Sequence, residues 1–118
     1  MSGRVAWIDL TVDAAEDVRD FYANVVGWRP EPASMGDYDD YNMLPSDDEA
    51  PVAGICHARG ENAGIPAQWM IYVTVPDVAA AAEAVEAHGG RVLRAPKQGG
   101  KSCIIQDPAG AVMTLYQD

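Results

Sequence analysis

The chain repeats itself. Displaced by 63 positions (from 12 to 75), Val12 falls on Val75, Thr11 on Thr74, Ile8 on Ile71 and Gly27 on Gly90, without a gap. A repeat restricts the fold more than any single motif, because whatever one copy forms the other must form too. In the first copy, residues 6–12 alternate, with Ile8, Leu10 and Val12 on one side and Trp7, Asp9 and Thr11 on the other. That period of two predicts a half-buried strand. Asp13 stands where a helix N-cap belongs, and Glu16 three residues later completes a capping-box pair. Val18, Phe21, Tyr22 and Val25 then follow at the spacing of an amphipathic helix, which Gly27 closes.

The second copy has the same grammar. Gln68 to Val75 reads as a strand, Asp77 as a cap, and Val78 to His88 as an Ala-rich helix ended by Gly89-Gly90. Each helix is followed by strand candidates, at about 28–32, 38–44 and 51–58 in the first half and about 91–95, 101–106 and 111–117 in the second. Asp107-Pro108-Ala109-Gly110 is a turn before the last strand, and the polar stretch from Pro45 to Ala50 is a hairpin loop. Arg59 to Pro66, polar and bearing Gly and Pro, reads as a linker. The expectation is one α+β domain over 1–118, built of βαβββ units at about 4–58 and about 67–118, with a linker at about 59–66. At 118 residues the chain is too short for two independent domains. A helix covers only one face of such a unit, so the other face must meet the second unit or a partner chain. Two facing sheets would leave a cup, and chemistry would be placed there.

Charge narrows the partners. Eighteen acidic residues against eight basic ones give a net charge of −10, which argues against nucleic acid, whose phosphates need a basic footprint. The acidity suits a neutral or cationic ligand, and equally a surface that serves only solubility. No apolar run approaches the roughly 20 residues that span a bilayer. Met1 to Arg4 lead directly into strand-like sequence without an apolar signal segment, so a cytoplasmic location is expected. Cys56 and Cys103 stand alone in apolar runs and read as reduced core residues. No Gly-rich phosphate loop is present, and no serine forms a nucleophile motif with His57.

The tandem βαβββ units, Asp20-Phe21-Tyr22 leading to Gly27-Trp28, and Asp107-Pro108-Ala109-Gly110 together resemble the vicinal oxygen chelate superfamily of glyoxalase, bleomycin-resistance and extradiol dioxygenase proteins. The resemblance covers nearly the whole chain and implies a cup-shaped mixed sheet. In metal-dependent members it implies ligands from the first and last strand of each unit, usually His, Glu or Gln, holding a metal that stabilises negative charge on vicinal substrate oxygens. By motif those positions fall on Trp7, Met70 and Thr114, with the remaining one near His57. Trp is not a useful ligand, and Met and Thr are poor ones for hard divalent ions. The expected cofactor is therefore none, a displaced site on His57 and Asp9 being the alternative.

The candidate ligand-binding residues are Trp7, Asp9, His57, Met70, Tyr72 and Thr114. Trp7 stacks on a planar ligand or simply fills the core. Asp9 orients a ligand or acts as a base, or else is a carboxylate paired within the barrel. His57 contacts ligand or is a hydrogen-bonded structural residue. Met70, Tyr72 and Thr114, with Val112 and Tyr116 beside Thr114, describe an amphipathic pocket or ordinary core. His88 suits a helix C-terminus. Arg59, Glu61 and Asn62 close over the mouth or form a solvated loop.

These residues favour a small-molecule binder working without a metal, by analogy with the acidic, metal-free, drug-sequestering members that the resemblance brings in. The alternatives are a metal-dependent glyoxalase-like lyase or isomerase or a dioxygenase-related enzyme, and a regulatory module. The resemblance implies a homodimer. The residues leave open whether the units close within a chain or exchange between chains.

Overall fold

A computed structural model describes residues 2–118. Its elements run β1 (Val5–Val12), α1 (Ala15–Val26), β2 (Arg29–Ser34), β3 (Asp39–Leu44), β4 (Ala53–His57), a short 3-10 turn (Gly60–Asn62), β5 (Trp69–Val75), α2 (Val78–Ala87), β6 (Arg91–Arg94), β7 (Ser102–Gln106) and β8 (Val112–Gln117). The order βαβββ occurs twice, and the fold class is α+β with mixed strand pairing. The chain forms two compact units, Ile8–Trp69 and Met70–Asp118, the latter joined by the residues up to Trp7. The boundary lies inside β1 and β5.

In the first unit the strands lie in the order β2-β3-β4-β1. Strand β1 runs parallel to β4, with Leu10 beside Ile55 and Thr11 beside Cys56, while β2/β3 and β3/β4 are antiparallel. One face carries Ile8, Val12, Tyr41, Met43, Ala53 and Ile55, packed with Ala15, Val18 and Tyr22 of α1. The second unit repeats the plan as β5-β8-β7-β6. Strand β5 is parallel to β8, with Tyr72 beside Thr114 and Thr74 beside Tyr116. Its helix-covered core holds Val73, Val75, Cys103, Ile105, Met113 and Leu115 against Val78, Ala81, Ala82 and Val85 of α2. In both units, strand alternation sends every second residue away from the helix.

The two helices begin differently. Asp77 caps α2 as expected, its carboxylate accepting from the N–H groups of Ala79 and Ala80 at 3.0 and 3.1 Å. Asp13 does not cap α1. Ala14 takes the N-cap place with no side-chain bond. Two tertiary contacts accompany this: Ala15 is fully buried in the core, and the Glu16 carboxylate reaches His57 on β4. The glycine ends hold. Gly27 adopts the left-handed conformation (φ 83°) and its N–H bonds back to Ala23 O. At Gly90 space is what matters, because a Cβ there would lie 2.7 Å from Gln106 O and 2.9 Å from Val85 Cγ1. The Asp107 turn is locked by the Asp107 carboxylate, which accepts from Ala109 N and Ala111 N at 2.8 and 3.0 Å.

Candidate functional site

His57 ends β4, two residues after Ile55, and so shares the helix-covered face of the first unit. Its ring is 8% exposed and meets a carboxylate at each nitrogen: Nε2 lies 2.8 Å from Glu16 Oε2, and Nδ1 lies 3.2 Å from Asp40 Oδ1. Asp40 Oδ1 also accepts the His57 backbone N–H at 2.8 Å. Tyr38 presents a ring edge-on to the imidazole, at 5.2 Å and 81°. The Glu16 carboxyl is held below its ordinary value, first by a backbone hydrogen bond at Glu16 itself and then by the bond from His57. The arrangement clasps the first turn of α1 to β4. With both nitrogens so occupied, the imidazole is not presented to a ligand.

Asp9 stands on the opposite face. The register pairs Asp9 with Gly54 and Thr11 with Cys56, whereas Val12 pairs with His57. An odd spacing from residue 9 to residue 12 places the two candidates on different sides of one sheet, so the structure does not bring Asp9 and His57 together. Cys56 shares the Asp9 face. Burial first, and then the negative charges of Asp9 and Asp40, push its thiol up to about 12, which suppresses the nucleophilic thiolate. The sequence reads Cys56 as core and Glu16 only as a capping-box residue, and gives no sign of Asp40, because the partner of Asp40 and Glu16 lies 17 and 41 residues away.

The remaining candidates meet in the second unit. Met70, Tyr72 and Thr114 lie on the face turned from α2, the registry of β5 with β8 placing Tyr72 beside Thr114. Met70 and Thr114 are each 2% exposed on that face, and Ile104, also buried, pairs with Thr114. Trp7, Tyr72, Tyr116 and Ala6 enclose an open cavity of about 310 Å³. Trp7 is half-buried and Tyr116 is 40% exposed. Among the described residues, neither ring packs against another aromatic ring. Of the cavity wall, Ala6 was absent from the expectation; its small side chain has no signal of its own.

The residues at the superfamily's metal positions do not fit a metal. The indole of Trp7 offers no lone pair outside its ring system, a thioether and a hydroxyl are weak donors to hard ions, and both His57 nitrogens already face carboxylates. Among the described residues no cluster of three or more His, Cys, Asp or Glu has the geometry to hold an ion. Among them, too, no helix is long and apolar enough to cross a membrane.

Comparison with known proteins matches this arrangement to a family. The "Glyoxalase-like domain" family matches residues 7–116. The protein named "Putative glyoxylase CFP32" of Mycobacterium tuberculosis is 30% identical over 122 residues, covering 98% of this chain and 46% of its own length. "Anthracycline biosynthesis protein DnrV" of Streptomyces peucetius is 27% identical over 129 residues, covering 98% of this chain and 47% of its own. The chain thus spans about half the length of these curated relatives. In fold, it is similar to a hypothetical protein of Bacillus halodurans (TM-score 0.60, 12% identity, 100% of this chain and 96% of the other). It is also similar to methylmalonyl-CoA epimerase of Mycobacterium tuberculosis (TM-score 0.56, 13% identity, 93% and 84%). With nearly its whole length matched, the chain belongs to the glyoxalase-like domain family, within the vicinal oxygen chelate superfamily.

Proposed function

We propose that this protein binds a small organic molecule in the cavity of its second unit, through Trp7, Tyr72 and Tyr116, with Met70 and Thr114 buried on the face that Tyr72 shares, without a metal ion. One observation carries the reading: Trp7, Met70 and Thr114, at the positions where the superfamily resemblance implies ion ligands, suit an organic surface, and Trp7 among them borders, with Tyr72, a cavity of about 310 Å³. Apolar walls with a few polar groups are the usual make-up of a small-molecule site. The comparisons lend support of a coarser kind. Two relatives are named for anthracycline biosynthesis, and an epimerase of similar fold has been solved with methylmalonyl-CoA, so related and similarly folded proteins handle organic molecules.

A glyoxalase-like enzyme is the rival, favoured by the name of the mycobacterial relative. The two part on one comparison. Protein purified without a metal-affinity tag is screened by thermal shift against aromatic metabolites, cationic antibiotics and methylglyoxal–thiol adducts, alone and with divalent metals. Ligand at 100 times its Kd should add about 2.7 kcal/mol. Stabilisation by an organic compound alone, lost in Trp7→Ala, supports binding without metal. Stoichiometric tightly held metal with turnover of the thiol adduct would replace that reading with the enzyme.

A further inference from the structure

We infer that the cavity selects a planar, fused-ring aromatic compound without negative charge; the inference rests on the small-molecule reading above and names its ligand class. Among the described residues the lining is three aromatic rings and one alanine, with no charged side chain. Such a wall recognises shape through ring faces and edges rather than through ions.

The state of the rings is as telling as their number. Phe21, Tyr22, Trp28 and Trp69 of the first unit all pack ring on ring, at centroid distances of 5.1 to 6.0 Å. Trp7 and Tyr116 make no such contact among the described residues, although aromatic rings gain from partners at about 4.5–7 Å. Their surfaces remain available to a guest ring. The volume sets its size: 310 Å³ is about twice a cavity known to accept benzene, hence about two or three fused rings. Charge sets its character. Among the described residues no cation lines the wall to compensate a buried anion, and the chain's net charge of −10 opposes the approach of one.

Three probes of similar carbon count test this: 2-naphthol, planar and neutral; 2-naphthoate, planar and anionic; and 1-adamantanol, neutral and globular. Binding is measured by calorimetry and by the indole NMR signal of Trp7, assigned from Trp7→Phe. The expected result is 2-naphthol binding about tenfold or more tighter than either other probe and shifting the Trp7 signal. Trp7→Ala should weaken 2-naphthol about threefold to tenfold, and Trp7→Phe much less. If Trp7→Ala does not fold by circular dichroism, Tyr116→Ala replaces it, at a position already 40% exposed. Equal or tighter binding of 1-adamantanol at Trp7 would overturn selection for planarity and leave the small-molecule reading standing. Equal binding of 2-naphthoate would overturn the charge preference alone. If no probe moves the Trp7 signal, the ligand class fails, and the thermal-shift screen decides whether the wider reading fails with it.

Discussion

The two units share one plan and treat their aromatic rings in opposite ways. In the first, Tyr22, Trp28 and Trp69 close on one another, the Trp69 Nε1–H donating to Tyr22 Oη at 3.1 Å, and His57 is clasped between Glu16 and Asp40. In the second, Trp7 and Tyr116 border an open cavity and lean on no other ring among the described residues. The lesson concerns where stability and recognition separate. Rings satisfied by neighbours hold a fold together, whereas rings left open add less to stability and have capacity to bind.

Substitutions sharpen that contrast, beginning where the effect is largest. Trp69→Ala removes two ring edges and a hydrogen bond, and should cost about 3 kcal/mol in urea unfolding. A loss of no more than Trp7→Ala would erase the proposed difference between the units. His57→Ala should cost about 2 kcal/mol, because Asp40, only 10% exposed, loses its ring partner while keeping the backbone N–H of position 57. A neutral outcome would mean the clasp is ornamental.

The repeat itself can be broken in the same way. Asp77→Ala should cost about 1 kcal/mol by thermal melting, whereas Asp13→Ala should be silent, since only Asp77 caps its helix. Equal losses would restore the symmetrical reading of the two helix starts. Tyr116→Ala should change stability by less than about 0.5 kcal/mol while weakening ligand, the reverse of Trp69→Ala. The smallest effect is one of shape. Glu16 has its folded pKa below its ordinary value of 4.5, so the stability it adds is present above the unfolded value and fades as pH falls through the lower folded one. Unfolding measured from pH 6 downward should show that fade in the wild type and less of it in Glu16→Gln. Superimposable curves would remove Glu16 from the clasp.

Legibility in the sequence followed the range of the interaction. The strands at 6–12 and 68–75 were visible in their alternation, and so was the grouping of Thr114, Val112 and Tyr116 on one face, because period two is local. The Asp77 cap was visible because its acceptor and donors lie within three residues. Asp13 looked the same and failed, since Ala15 and Glu16 answer to partners elsewhere in the unit. His57 and Asp9 both stand out in the sequence as candidates, yet no local pattern could show that the parallel register of β1 with β4 sends them to opposite faces. That register is a long-range quantity, and one residue of slip would reverse it.

By itself, then, the sequence determined two βαβββ copies, the glycines that end their helices, and the absence of good metal donors at Trp7, Met70 and Thr114. These are matters of residue chemistry and spacing along a few turns or one strand. Only the tertiary structure decided that His57 is held by Glu16 and Asp40, and that Trp7 joins Tyr72 and Tyr116 around a cavity. Residues as distant in the chain as 7 and 116 become neighbours through strand pairing, and strand pairing is chosen by the energy of the whole packed unit rather than by any segment of it.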